Sequence, residues 1–161
     1  MLNDWSNFFV GELGAAAALT GLLFVAVSVN QARILQLGRM ADRALEALVM
    51  LLTVVLIASL GLVPGQGMRL LGLEIFIIAA AASAGIFVLE RIYLCLIERP
   101  YRRLSIQMAI CNQLSLMTIA LSGLITLWRG INGLYLLPLG ILATFLFSMA
   151  NAWVLLIEIN R

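Results

Sequence analysis

The chain has 161 residues, 63% hydrophobic and 11% charged, where an ordinary soluble domain is roughly half apolar and a quarter charged. That balance indicates an integral membrane protein, and a net charge of +2 spread over short connections offers no basic face for nucleic acid. Lysine and histidine do not occur, which removes Schiff-base cofactors, the usual haem and zinc ligation, di-iron Glu-x-x-His sites and any nucleophile paired with histidine. The expectation is a non-enzyme without cofactor or metal.

Five apolar segments follow in chain order, each long enough for a span of about 20 residues. The first, Phe8–Val29, is preceded by Met1–Asn7, which has no basic residue and carries Asp4, so it reads as a span and not as a signal peptide. Gly14/Ala18 and Ala17/Gly21 place small residues four apart, a spacing that lets helix backbones approach closely. Packing inside the bundle and a subunit interface both fit that pattern. Glu12 lies one turn inside the outer edge of this span.

The connection Asn30–Arg43 brings Arg33, Arg39 and Arg43, candidates for contact with anionic lipid head groups or simply topology signals. The second segment, Ala44–Val63, carries Glu46 near its inner edge and stops at Pro64-Gly65. The third, Leu71–Ile97, holds Glu74 on the outer side, a small-residue run Ala79–Gly85, and Glu90 and Arg91 toward the inner side. Consecutive residues point about 100° apart on a helix, so Glu90 and Arg91 cannot neutralise each other. Arg91 is expected to reach Glu46 or Glu158, and Glu46, Glu90, Arg91 and Glu158 are candidate structural ion pairs. Arg99, Arg102 and Arg103 in the next connection form a second set of head-group candidates, and Cys95 and Cys111 read as free thiols.

The fourth and fifth segments, Ile106–Leu127 and Gly133–Ile157, carry the most informative pattern. Ser105, Met108, Asn112, Ser115, Ile119, Ser122 and Thr126 recur at spacings of three and four, which aligns them on one helix face. Thr144, Ser148, Asn151, Leu155 and Glu158 repeat the device. In hydrocarbon such a stripe marks a helix–helix seam or a wetted cavity. Ser and Thr can bond back to their own helix, so most of each stripe reads as packing. Asn112, Gln113 and Asn151 exceed what packing needs.

Arginine is concentrated in the first and third connections and at the C-terminus, which places the N-terminus outside and the C-terminus in the cytoplasm. The expected fold is therefore an all-α, single-domain bundle of five transmembrane helices. The leading functional expectation is a homo-oligomer that conducts or moves a small ion, with Glu12, Glu74, Asn112, Gln113 and Asn151 as candidate lining. The alternative is a non-conducting accessory subunit that binds a larger membrane protein. Lipids are partners on either reading.

The strings Thr20–Asn30 (TGLLFVAVSVN), Leu62–Gln66 (LVPGQ) and Gly72–Ile75 (GLEI) resemble those in small bacterial inner-membrane proteins, some labelled modulators of the membrane-anchored quality-control protease. The resemblance covers the first half of the chain. It implies a bacterial inner membrane and supplies no catalytic or ligand residue.

Overall fold

The computed structural model describes residues 2–31, 34, 38–96 and 99–159, with side-chain surroundings for 5–31, 34, 41–92, 103 and 105–153. Arg33 and the side chains of Arg39, Arg99, Arg102, Cys95 and Glu158 lie outside the described residues. Five α-helices account for nearly all of the described chain: α1 Leu2–Val29, α2 Gly38–Gly61, α3 Met68–Leu96, α4 Arg99–Arg129 and α5 Leu137–Ile159. A 3-10 segment, Gly130–Leu136, joins the last two. Four helical stretches are long and apolar enough to cross a membrane: Trp5–Val29, Ala41–Gly61, Met68–Ile92 and the 49-residue run Ser105–Trp153.

The last run is folded back on itself. Gly130, with φ +66°, opens the reversal, and Pro138 sits in the first turn of α5, where its missing N–H breaks no helical bond. Gly133 then packs against Thr126, Gly140 against Ile119, and Asn151 bonds Asn112. Contacts that run down one helix and up the other make α4 and α5 an antiparallel hairpin. The fifth segment thus begins as an α-helix at Leu137, four residues later than Gly133, because Gly130–Leu136 winds as 3-10. Between α2 and α3 the chain turns through Leu62–Gly67, with Gly65 at φ +72°.

Helices α2, α3, α4 and α5 close a four-membered ring in which each packs on its two neighbours. The tightest seam is α3–α4. There Gly72 and Gly123 face each other, and a Cβ on Gly72 would lie 2.6 Å from the Leu127 amide nitrogen while one on Gly123 would lie 2.6 Å from that of Phe76. Backbones meet at this crossing without intervening side chains, the geometry that small residues permit in a membrane.

Helix α1 stands outside the ring and packs chiefly on α2. Phe9, Ala16 and Leu23, spaced by seven, are its buried face; Phe9 meets Gly61, and Leu23 joins Ala44, Ala47 and Leu51. The small residues at four-residue spacing lie elsewhere. A Cβ on Gly11, Gly14 or Gly21 would touch nothing within 4 Å, and Ala17 and Ala18 are exposed. Packing inside the bundle is therefore not what this stripe serves within one chain, because α1 turns Phe9, Ala16 and Leu23 to α2.

The distribution of polarity is inverted relative to a soluble protein. Large apolar side chains such as Leu22, Phe24, Leu114 and Leu146 are exposed, while Asn112, Ser122, Thr126, Thr144, Ser148 and Asn151 are buried. Lipid as the surrounding solvent accounts for both halves of that pattern. At the end of the molecule opposite the site described next, Trp5, Phe8, Phe9 and Tyr135 form an edge-to-face aromatic cluster, with Trp5 and Tyr135 centroids 5.3 Å apart.

Candidate functional site

Each helix of the ring sends a polar residue into one region near the end that carries the α1–α2 and α3–α4 connections. Helix α2 contributes Arg43 and Glu46, three residues apart and so on one face. Helix α3 contributes Glu90, the last member of a buried stripe running Gly72, Ile75, Ala79, Ser83, Ile86 and Glu90. Helix α4 brings Ser105 and Asn112, and α5 brings Ser148 and Asn151.

Arg43 is 9%, Glu46 6% and Glu90 5% exposed, and Asn112 and Asn151 are 0% and 1% exposed. The bonds among them cross the ring. An Arg43 Nη2 donates to Ser105 Oγ at 3.3 Å, and Asn112 Nδ2 donates to Glu46 Oε2 at 3.4 Å, both spanning the α2–α4 diagonal. Asn151 Nδ2 donates to Asn112 Oδ1 at 3.2 Å, and Ser148 Oγ to the Ala47 carbonyl at 3.1 Å. Gln113 turns to α3, where its Nε2 donates to Glu90 Oε2 and to the Ser83 carbonyl at 3.2 Å each, and its Oε1 accepts from Ser83 Oγ at 2.6 Å.

Arg43, Glu46, Glu90, Ser105, Met108, Ala109 and Asn151 line a partly open void of about 10 Å³, room for one water. Two carboxylates and one guanidinium line it. A charge in hydrocarbon is tolerated only beside a partner or water, and this cluster supplies both conditions. Among the described residues, Glu90 Oε1 and Asn151 Oδ1 are buried acceptors with no donor.

No family model, curated protein or solved structure matches this chain. The chemistry of the site therefore rests on its own geometry.

The structure regroups the residues that the sequence singled out. Asn112, Gln113 and Asn151, read as lining, fall in the same cluster as Glu46 and Glu90, read as ion pairs. Arg43 is a correction: it is buried in this cluster and does not reach out to head groups, because α2 begins at Gly38 and already holds Arg43 on its inner face. For the Glu46 alternative Arg91 is a second correction, since it turns outward and lies 5.0 Å from the Phe87 ring centroid, and the Glu158 alternative lies outside the described residues. Glu90, one residue earlier, takes the buried face and meets an amide in place of a cation. Arg103 is exposed, in keeping with a head-group position.

Nothing among the described contacts joins Glu12 to Glu74. Glu12 stands half-buried on α1, and Glu74 accepts a hydrogen bond from Gln66 in the α2–α3 turn. Half of the Ser/Thr stripe bonds back to its own helix: Thr126 to the Ser122 carbonyl, Thr144 to that of Gly140 and Ser115 to that of Asn112, whereas Ser122 reaches the Gly133 carbonyl and Ser148 that of Ala47. Two participants escaped the sequence reading. Ser83 was hidden in the small-residue run, and Arg43 among the loop arginines. The three-and-four spacing of Arg43, Glu46, Met50, Val54 and Ile57 is the signal that places Arg43 on the buried face.

Asn112 is the hub, donating to Glu46 and accepting from Asn151. Asn112→Leu is expected to destabilise the protein by about 1–3 kcal/mol, because it strands a buried acceptor and a buried donor at once. Unfolding in SDS, followed by circular dichroism, measures this. A loss no larger than that of Thr118→Leu, on the same helix but outside the cluster, would remove Asn112 from this role.

Proposed function

We propose that the protein moves a proton, or a small cation, through a buried polar site inside a five-span bundle. The N-terminus is outside, the C-terminus cytoplasmic, and the membrane a bacterial inner membrane. The observation that carries this reading is the small void with Glu46 and Glu90 set against the single guanidinium of Arg43. With both acids ionised, that lining is one positive charge short, and hydrocarbon around it amplifies the deficit. A proton or monovalent cation restores neutrality, and its arrival and departure are the elementary steps of transport. The size of the void favours the proton. Asn112 and Asn151, buried within one chain, support passage inside the bundle and not along an axis between identical subunits.

Reconstitution into vesicles with an entrapped pH dye tests this. Wild-type protein should dissipate an imposed proton gradient, while Glu46→Gln and Glu90→Gln fall to the level of empty vesicles and Glu12→Gln and Glu74→Gln keep the flux. Wild-type vesicles as tight as empty ones, or flux that survives both inner substitutions, would reject the reading.

A second reading has its own observation. The small-residue face of α1, open at Gly11, Gly14 and Gly21, fits a second transmembrane helix. That helix belongs to another copy in a homo-oligomer, or to a larger membrane protein that this chain serves as an accessory subunit. Co-purification in gentle detergent separates the two.

A further inference from the structure

The α3–α4 seam, closed at its glycine crossing, opens toward the other end of the two helices. A groove of about 300 Å³ runs there between Phe87 and Arg91 of α3 and Ile106, Ile110, Leu114 and Met117 of α4. That volume lies at the small end of ligand sites. Its apolar walls are exposed, so the lipid around the bundle reaches them. The wall from Ile106 to Met117 is about 16 Å long at the helical rise. One leaflet of hydrocarbon is close to that, about 15 Å.

The charge sits at one end of the groove. The apolar stretch of α3 ends at Ile92 and that of α4 begins at Ser105, so Arg91 and Arg103 mark the same membrane edge on the two walls. Arg103 is exposed one turn before Ile106, on the face that continues to Ile110. Arg91 is exposed too, with its guanidinium over the Phe87 ring. A guanidinium on an aromatic face keeps its in-plane N–H fork for a phosphate. The acid in the lining, Glu90, is only 5% exposed, takes a hydrogen bond from Gln113 and shares the interior void with Arg43. What this groove presents to the bilayer is therefore cationic at its mouth and apolar along its length.

We propose that the groove binds one anionic glycerophospholipid, its phosphate held by Arg91 and Arg103 and one acyl chain laid along Ile106, Ile110, Leu114 and Met117. Two arginines at a membrane edge favour a head group of net negative charge. A zwitterionic lipid carries an ammonium that offsets its phosphate, so it gains less from the same pair. A fatty acid lacks the phosphate, and free phosphate lacks the chain. Met117, unbranched and flexible, lets the far end of the groove adapt to the chain.

The site lies outside the ring and draws nothing from the ion-handling reading; binding is read without flux, so either can fail alone. The probe is a phosphatidylglycerol with a diazirine in one acyl chain, photolysed with the full-length protein in phosphatidylcholine nanodiscs and mapped by peptide mass spectrometry. Labelling should concentrate on Phe87 and Ile106–Met117 over the equally exposed Leu22, Phe24 and Val25 of α1. A phosphatidylcholine with the same diazirine should label both faces alike. Unlabelled phosphatidylglycerol should displace the probe, and oleate or inorganic phosphate should not. Arg91→Gln combined with Arg103→Gln should lower groove labelling at least about tenfold, the loss of two arginine–anion attractions. Both side chains are exposed, so the core is untouched. Ile110→Trp keeps both arginines but fills the groove from an exposed position, and should lower labelling as well. Even labelling of the two faces by the phosphatidylglycerol probe, the same groove preference in the phosphatidylcholine probe, displacement by oleate or phosphate, or groove labelling unchanged in either variant would overturn the proposal.

Discussion

Gly72→Ala and Gly123→Ala are each expected to destabilise the protein by about 1–3 kcal/mol, with the double variant losing less than the sum. The atoms that a new Cβ would meet are backbone, not the movable ends of side chains: Leu127 N at 2.6 Å from position 72, and Phe76 N at 2.6 Å from position 123. Neither can rotate aside, so the helices must separate. Once one methyl has forced α3 from α4, the second finds part of its space already open, which is why the penalties do not add. The pair lies far along α3 and α4 from Glu90 and Gln113, yet the seam it closes is the one that carries them. Gly14→Ala is the matching control. Its Cβ enters open space, and alanine gains about 1 kcal/mol of helix propensity over glycine. Unfolding in SDS for all four proteins gives the comparison; equal effects at positions 14 and 123 would mean that α3 and α4 do not meet at this crossing.

Those glycines illustrate what the sequence made legible and what it did not. Apolar length alone located the long helices, because lipid demands long uninterrupted helices. The Ser, Thr and Asn stripes were readable for a related reason, since burying polar groups on one helix face leaves a period of 3.6 in the chain. Their buried positions, from Ser105 to Thr126 and from Thr144 to Asn151, follow that period. Helix rotation about its own axis was not readable where two candidate faces compete. In α1 the small-residue stripe and the Phe9–Ala16–Leu23 stripe are both plausible seams, and only the neighbour's shape at Gly61 decides between them. The same holds at Glu90 and Arg91, where one step in sequence separates a residue in the core from one on the surface. Arg43 was misread through helix length. An arginine assigned to a connection is free to seek head groups, whereas one already a turn into α2 points where the helix points.

Arg43→Met should be among the most damaging single substitutions in the chain, costing about 3–5 kcal/mol, as removal of one partner from a buried charge cluster does. It leaves Glu46 and Glu90 facing the void with no cation in its lining and removes the Arg43 hydrogen bond to Ser105. Adding Glu46→Gln to Arg43→Met is expected to recover a large part of that loss, since one of two uncompensated carboxylates is gone. Glu46→Gln alone should stay within about 1 kcal/mol of wild type, because the repulsion between Glu46 and Glu90 goes with it and a glutamine keeps an acceptor for Asn112. That asymmetry is what distinguishes a working site from structural glue. If Glu46 existed to hold the bundle together, its neutralisation would lower stability along with everything else. If it exists to take and release a proton, neutralisation leaves stability nearly untouched and abolishes flux. Measuring SDS unfolding and vesicle flux on the same four proteins decides between them, and a Glu46→Gln protein that is both unstable and fully conducting would refute the assignment of Glu46 to transport.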